Sequence, residues 1–579
     1  MPCGAKYDNP LMSKRLPEPS GYIASFNYAQ YTYLVLVLAR IYPDFSWNCF
    51  IGAIVDVGYV CYLGNRSYPN TVAYLGVPYA EPPLGDRRFR APLPLNTTHF
   101  VVNATQYPNF CVQGSTGEGD AGGAGSEDCL NVNIYSPFGA GEDSRLPVLV
   151  YIHGGGYAYG NPRNWPFDHW VHQSPDVVIV SVYYRLDSFG FLSVPAFHKS
   201  VNGDFNVGFQ DQIQALRWVQ KNIHAFGGDP SRVTINGQSA GGSSVLLHLI
   251  AHESRELFSG AIAQSVYRAP LPTPEEQKPL FEFYALRAGC GSGPVQSQLA
   301  CLRNASVSTL ARAQDASTSA QLYELVIVGS NSCSFDLSNG SYKIFLPVLD
   351  GKIITDLPTR SILAGNSARV PLVVGATSNE TVARGGNITA SLKTFFPKLN
   401  RADLEDFLKV YPEDEFTSED QRFQVATGEP ELICAREAMG GAYAQRGLNT
   451  WTYRYNQPNP ISGSDSVAHA AENWMMFLGT NTSFNGSTTF TPMTPVEVAF
   501  AEELIAYWLS FVRSGDPNTH KLARSPTWSP YLTHNKSRIV FQQDSRNTTT
   551  YSGCYDEHEP SEEGQRCQFV VSKVAHEQN

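Results

Sequence analysis

A serine stands in a G-x-S-x-G setting in "VTINGQSAGGSS" (Val233–Ser244), with Ser239 flanked by Gly237, Gly241 and Gly242. With 48 glycines in 579 residues, such a match arises by chance about 0.3 to 0.4 times in a chain of this length, so context decides. Val233, Thr234 and Ile235 read as the end of a strand, and "SSVLLHLI" (Ser243–Ile250) reads as a buried helix. A sharp strand-to-helix turn crowded by glycines presents its serine as a nucleophile. The helix N-terminus behind it directs partial positive charge at the reacting centre.

A serine hydroxyl attacks poorly until a base takes its proton, and that base needs an acid to orient it. In this arrangement the acid and then the histidine follow the serine along the chain. His469, in "DSVAHAAENWMMFLG", lies in a small-residue loop before an aromatic stretch, whereas His520, His534 and His558 lie in polar, surface-like contexts. Glu380 closes the run "PLVVGATSNE" and falls at a strand's carboxyl end, where ligand sites of open α/β sheets gather. An isolated glutamate there is more often solvated. It also lies within the glycosylation sequon of Asn379. A glycan would crowd the acid, so that sequon is expected to stay unused where Glu380 is buried. "HGGG" (His153–Gly156) follows another strand and can turn the amides of Gly155 and Gly156 inward; with Ala240 N–H they form three oxyanion donors. His153 precedes the serine and reads as a loop-shaping residue.

These groups need a rigid frame. "LPVLVYIHGGG" (Leu146–Gly156), "DVVIVSVYYR" (Asp176–Arg185), "GAIAQS" (Gly260–Ser265) and "PLVVGATSNE" (Pro371–Glu380) are near-continuous apolar runs, as strands buried on both faces are. Between them "QDQIQALRWVQKNIHAFGG" (Gln210–Gly228) has helical spacing and a two-glycine stop. Strands alternating with helices imply an α/β fold with a mostly parallel central sheet and helices on both faces. Residues 270–365 and 385–465 read as helix-rich insertions over the sheet's ligand edge.

At 42% hydrophobic and 16% charged residues the chain is a well-buried globular protein. Net charge is −11 and no Lys/Arg-rich run occurs, which argues against a nucleic-acid partner. Cys/His metal spacings are absent, and the serine chemistry needs no metal or cofactor. Eleven cysteines and sequons at Asn65, Asn96, Asn103, Asn304, Asn339, Asn387, Asn481, Asn485, Asn535 and Asn547 point to a secreted, disulfide-bonded glycoprotein. Close cysteines suggest the pairs Cys111–Cys129, Cys290–Cys301 and Cys554–Cys567, with Cys3, Cys49, Cys61, Cys333 and Cys434 left unassigned.

Residues 1–54 form an atypical segment. "YTYLVLVLAR" (Tyr31–Arg40) has the length of a signal h-region but follows a long stretch containing Asp8 and Glu18, and it is too short to span a membrane. "CFIGAIVDVGYVCYL" (Cys49–Leu63) is interrupted by Asp56, and its later half reads as a strand. Residues 55–579 are taken as one domain.

"GVPYAEPPLGDRRF" (Gly76–Phe89), "SEDCLNVNIY" (Ser126–Tyr135), "HGGGY", "YYRLDSFGFL" (Tyr183–Leu192), the helix–strand–serine run and "VAHAAENWMMF" together resemble the type-B carboxylesterase, or cholinesterase-like, family of α/β-hydrolases, most of all its secreted fungal members. The likeness runs from about Val55 to beyond Phe511. It implies Ser239 as nucleophile, Glu380 as acid, His469 as general base, and Gly155, Gly156 and Ala240 as oxyanion hole. It also implies structural ion pairs Arg88–Glu127 and Arg185–Asp211. Two positions depart from the family pattern: Gln238 stands where an acid often precedes the nucleophile, and Thr381 stands where glycine usually follows the acid.

The resemblance implies a carboxylic-ester hydrolase working through an acyl-enzyme on a small-molecule or lipid-like ester. The loop between Cys111 and Cys129 has no aromatic residue to face a choline cation, and it is short and polar where lipase relatives carry an amphipathic lid. Soluble or moderately apolar esters are therefore expected, with an interfacial lipase or sterol esterase as the alternative. A non-catalytic adhesion protein of the same family would show a broken triad, and none of the three positions is broken.

Overall fold

The computed structural model describes residues 53–66, 68–95, 101–113, 125–318, 325–328, 331–334, 342, 344–381, 385–482 and 488–579. The apolar segment 31–40, most of the loop between Cys111 and Cys129, and the sequons at Asn96, Asn339 and Asn485 lie outside them. Just inside, Ile54–Asp56 pairs antiparallel with Cys61–Gly64, the strand expected in the second apolar patch.

Ten strands form the central sheet: β1 (Thr71–Pro78), β2 (Asn131–Pro137), β3 (Leu146–Ile152), β4 (Val178–Val182), β5 (Gly228–Gln238), β6 (Gly260–Gln264), β7 (Leu372–Thr377), β8 (Thr450–Tyr455), β9 (Ser537–Phe541) and β10 (Tyr555–His558). Their spatial order is β10-β9-β8-β7-β6-β5-β3-β4-β2-β1. From β4 across to β9 every pairing is parallel, while β2 and β10 run antiparallel to their neighbours. This is the mostly parallel α/β arrangement that the alternating apolar runs imply.

Period-two alternation explains why those runs are unbroken. Val148, Val150 and Ile152 of β3 join one core with Val233, Ile235, Ala261 and Val374. Leu149 and Tyr151 join another with Ile179, Ile262 and Val373. Helices α1 (Val207–Asn222) and α2 (Ala240–Ile250) cover the first face. The predicted helix over 210–228 is α1 with a further 3-10 turn, Ile223–Phe226, halted at Gly227 with φ +88°.

The region 385–465 is not entirely insertion. It contains α3 (Ile388–Phe395), α4 (Glu419–Gly428) and α5 (Cys434–Gln445), but also strand β8 inside the main sheet. "TWTYRY" is β-branched and aromatic at alternate positions, with Trp451, Tyr453 and Tyr455 in the second core and Thr452 donating to Ser537 O at 3.2 Å. Helices α6 (Ala471–Met476) and α7 (Pro495–Ser514) close that face. A third core, built from Leu392, Phe396, Phe407, Tyr411 and Phe423, lies within the insertion and meets α8 (Ser561–Ser572).

Both anticipated ion pairs form, each bidentate and buried. Arg88 Nε and Nη2 meet the Glu127 oxygens at 2.6 Å each, and Arg185 Nε and Nη2 meet those of Asp211 at 2.7 and 2.6 Å. Disulfides Cys111–Cys129 and Cys290–Cys301 form as the spacing suggested. The third does not. Cys567 bonds Cys434, not Cys554, which is a buried free thiol. Proximity in sequence misleads here because Cys554 faces the second core while Cys567, on α8, faces the third, where α5 presents Cys434.

Non-reducing peptide mapping is expected to yield a Cys434–Cys567 cross-linked pair, with Cys554 alkylated after unfolding. Replacing Cys434 and Cys567 by alanine is expected to cost about 2–5 kcal/mol in chemical denaturation, given the long loop closed. A Cys554–Cys567 peptide contradicts this pairing.

Candidate active site

Three adjacent regions of the sheet's carboxyl edge converge on one point. β5 ends at Gln238, and Ser239 is the N-cap of α2 with φ +61° and ψ −123°, a conformation that strains any residue with a Cβ. The strained turn is held on both sides. Ser239 N–H donates to Gln264 O on β6 at 2.9 Å, and Ser239 O accepts from Ser243 N–H at 2.9 Å and Tyr267 N–H at 3.3 Å. The second glycine of the motif has a steric cause: a Cβ at Gly241 would sit 2.0 Å from Ile152 O on β3. Helix α2 can start this close to the sheet only without a side chain there.

The structure brings together the three residues singled out in sequence. His469 Nε2 lies 2.8 Å from Ser239 Oγ, and His469 Nδ1 lies 2.6 Å from Glu380 Oε2. Glu380 follows β7 and is buried; its other oxygen accepts the Thr377 N–H at 2.7 Å, which turns the carboxylate back over the strand end. With Nδ1–H donating to Glu380, Nε2 is left as an acceptor facing the serine. Asn379 joins the two loops: its N–H donates to Val467 O at 3.1 Å, and its side-chain oxygen accepts from Val467 N–H at 3.2 Å. The unusual Thr381 also has a partner role, donating to Gln424 O on α4 at 2.7 Å.

The "HGGG" loop abuts the serine: a Cβ at Gly154 would stand 2.5 Å from Gln238 O and 2.9 Å from Ser239 Cβ. Gly155 and Gly156 follow with φ +111° and +60°. The N–H groups of Gly155, Gly156 and Ala240 donate to no acceptor among the described residues. Unpaired amides grouped beside a nucleophile are what stabilising a developing oxyanion requires. His153 is fully buried, stacked on Tyr184 at 4.5 Å, with Nδ1 2.8 Å from Gly154 O; burial pushes its pKa down to about 4, so it stays neutral and shapes the loop. Gln238 reaches over the site with Nε2 3.5 Å from His469 Nε2.

Two acids near His469 were not anticipated. Glu472, in the first turn of α6, is fully buried; desolvation, reinforced by the charge of Glu380, pushes its pKa up to about 7. Glu431 is pushed up to about 8 by burial, against the pull of His469. The i+3 spacing from His469 is the sequence signal that points to Glu472; Glu431 has none, because it approaches from the insertion. For His469 itself, desolvation disfavours the imidazolium, but the charge and hydrogen bond of Glu380, then Glu472 and Glu431, outweigh it and raise its pKa.

The model of the "Carboxylesterase family" matches residues 61–561. Carboxylesterase 1F of Mus musculus is 30% identical over 499 residues, covering 79% of this chain and 84% of that protein. Acetylcholinesterase of Bungarus fasciatus is 29% identical over 500 residues, covering 79% and 77%. Among solved structures, that of Aspergillus niger EstA superposes with a TM-score of 0.78 at 29% identity, covering 91% of this chain and 99% of that one.

In histidine-labelled protein followed by NMR, His469 is expected to titrate above the ordinary value of 6.5. Glu380→Gln removes the largest opposing charge and leaves the desolvation, so the midpoint is expected to move down. A midpoint at or below 6.5 in the wild type, or one unmoved in the variant, contradicts this electrostatic account.

Proposed function

We propose a mechanism for this chain, which belongs to the carboxylesterase family and is a carboxylic-ester hydrolase: Ser239 attacks the ester carbonyl while His469 Nε2 takes its proton. The amides of Gly155, Gly156 and Ala240 then hold the tetrahedral oxyanion. Collapse expels the alcohol, which takes the proton back from His469 and leaves Ser239 acylated. Water, deprotonated by the same imidazole, repeats the sequence and frees the acid. Glu380 fixes the Nδ1–H tautomer and stabilises the imidazolium formed in each half.

The observation that carries this reading is the unbroken relay Ser239 Oγ–His469–Glu380, with contacts of 2.8 and 2.6 Å. The preorganised strain at Ser239 and the unpaired amides support it. Soluble or moderately apolar esters are the proposed substrates, because the segment between Cys111 and Cys129 carries no aromatic residue and Gln238 adds no negative charge. The region from Val55 onward acts as one catalytic unit. Three disulfides among the described residues and the many sequons support an extracellular setting. None of the described helices is long and apolar enough to cross a membrane.

Hydrolysis of p-nitrophenyl esters from acetate to palmitate is expected to favour short chains. Ser239→Ala is expected to lose activity by about 10⁴-fold or more with an unchanged circular dichroism spectrum. Retained activity in the variant overturns the mechanism. A rate that climbs with chain length and steepens at a lipid interface overturns the substrate assignment.

A further inference from the structure

A cavity of about 680 Å³ opens against Tyr267, walled largely by apolar groups that also include Ile344, Leu346, Phe395 and Phe423. Tyr267 ties it to the nucleophile. Its N–H donates to Ser239 O, its carbonyl accepts from the Ser243 hydroxyl, and its ring packs edge-on against Phe395 at 5.3 Å. Among the described residues that line this cavity, Glu431 is the one acidic side chain.

Glu431 sits in a π-helical turn, Glu429–Ile433, between α4 and α5. Such wide turns recur at functional sites. The turn is clamped: Arg268 N–H donates to Glu431 O at 2.8 Å, and the Arg268 guanidinium holds Pro430 O and the buried Glu577. Its two acids have different fates. The Glu429 carboxylate is met by Arg566 at 2.6 and 2.9 Å and by the Tyr411 hydroxyl at 2.9 Å. The Glu431 carboxyl forms no hydrogen bond or ion pair with any described residue. A carboxyl left unmatched in an apolar wall is unfavourable unless something brings it a donor or a positive charge. The raised pKa of Glu431 agrees with that environment, and the main chain links it to the nucleophile in two steps, Glu431 O accepting from Arg268 N–H and the adjoining Tyr267 N–H donating to Ser239 O.

We propose that Glu431 is a specificity-determining residue that selects esters whose cavity-bound arm ends in a protonated primary amine. The apolar walls take the methylene chain, and Glu431 receives the ammonium as a charge-assisted hydrogen bond. This rests on the reading of Ser239 as the nucleophile.

The test uses two matched pairs in which an ammonium replaces a methyl group: p-nitrophenyl 6-aminohexanoate against p-nitrophenyl heptanoate, and 6-aminohexyl acetate against heptyl acetate. The first pair places the amine on the acyl arm and the second on the alcohol arm. In one pair the amine-to-methyl ratio of kcat/KM is expected to fall about tenfold or more in Glu431→Gln, and further in Glu431→Leu. Ratios unchanged in both pairs overturn the proposal, as does an equal loss on all four substrates, which marks Glu431 as a structural support. Wild-type turnover of heptanoate separates the two readings. If it is present and abolished in Ser239→Ala, unchanged ratios count against Glu431 alone; if it survives that substitution, the reading of Ser239 fails.

Discussion

The approach of α2 to the sheet is the constraint on which the rest depends. Ser239 adopts a left-handed backbone because β5 must reverse into α2 within one residue, beneath the Ile152 carbonyl of β3. That reversal costs about 1–3 kcal/mol locally, and the main-chain bonds to Gln264, Ser243 and Tyr267 hold it in place. Once made, it sets the other distances. The serine hydroxyl stands above the sheet, the Ala240 amide falls beside it, and the loop after β3 is pressed against Ser239 Cβ. The buried pair Arg185–Asp211 and the parallel strands on either side make the platform stiff enough to keep this geometry.

Electrostatics then give the site its character. Glu380 alone is hydrogen-bonded to His469, but Glu472 and Glu431 also act on it. Three carboxyls around one imidazole in a low-dielectric interior cannot all ionise without cost, and burial drives Glu472 and Glu431 toward their neutral forms. The result is one charge where the imidazolium needs it, with Glu472 and Glu431 favouring their neutral forms until a positive charge is brought to them. Gln238, rather than a fourth acid, avoids adding to the repulsion.

Much of this was legible in the chain. The glycine-crowded serine, the strand-closing Glu380 and the small-residue loop around His469 each carry a local signal, since each occupies the carboxyl end of a strand or a turn that a side chain would obstruct. The parallel sheet was legible because both faces are buried and its strands read as unbroken apolar runs. What stayed hidden depends on which elements meet in space. Strand β8 reads as part of the insertion because helices surround it in sequence. Cys434 finds Cys567 because α5 and α8 share a core that no spacing reveals. Glu431 reaches the cavity wall from a π turn whose neighbours in sequence are an ordinary helix end.

The central claim is that Ser239 is a nucleophile activated through His469. Reaction with a fluorophosphonate probe, followed by peptide mass mapping, tests it most directly. The account predicts a single adduct on Ser239, with labelling strongly slowed in His469→Ala. An adduct on another residue, or labelling at the same rate without the imidazole, would contradict it.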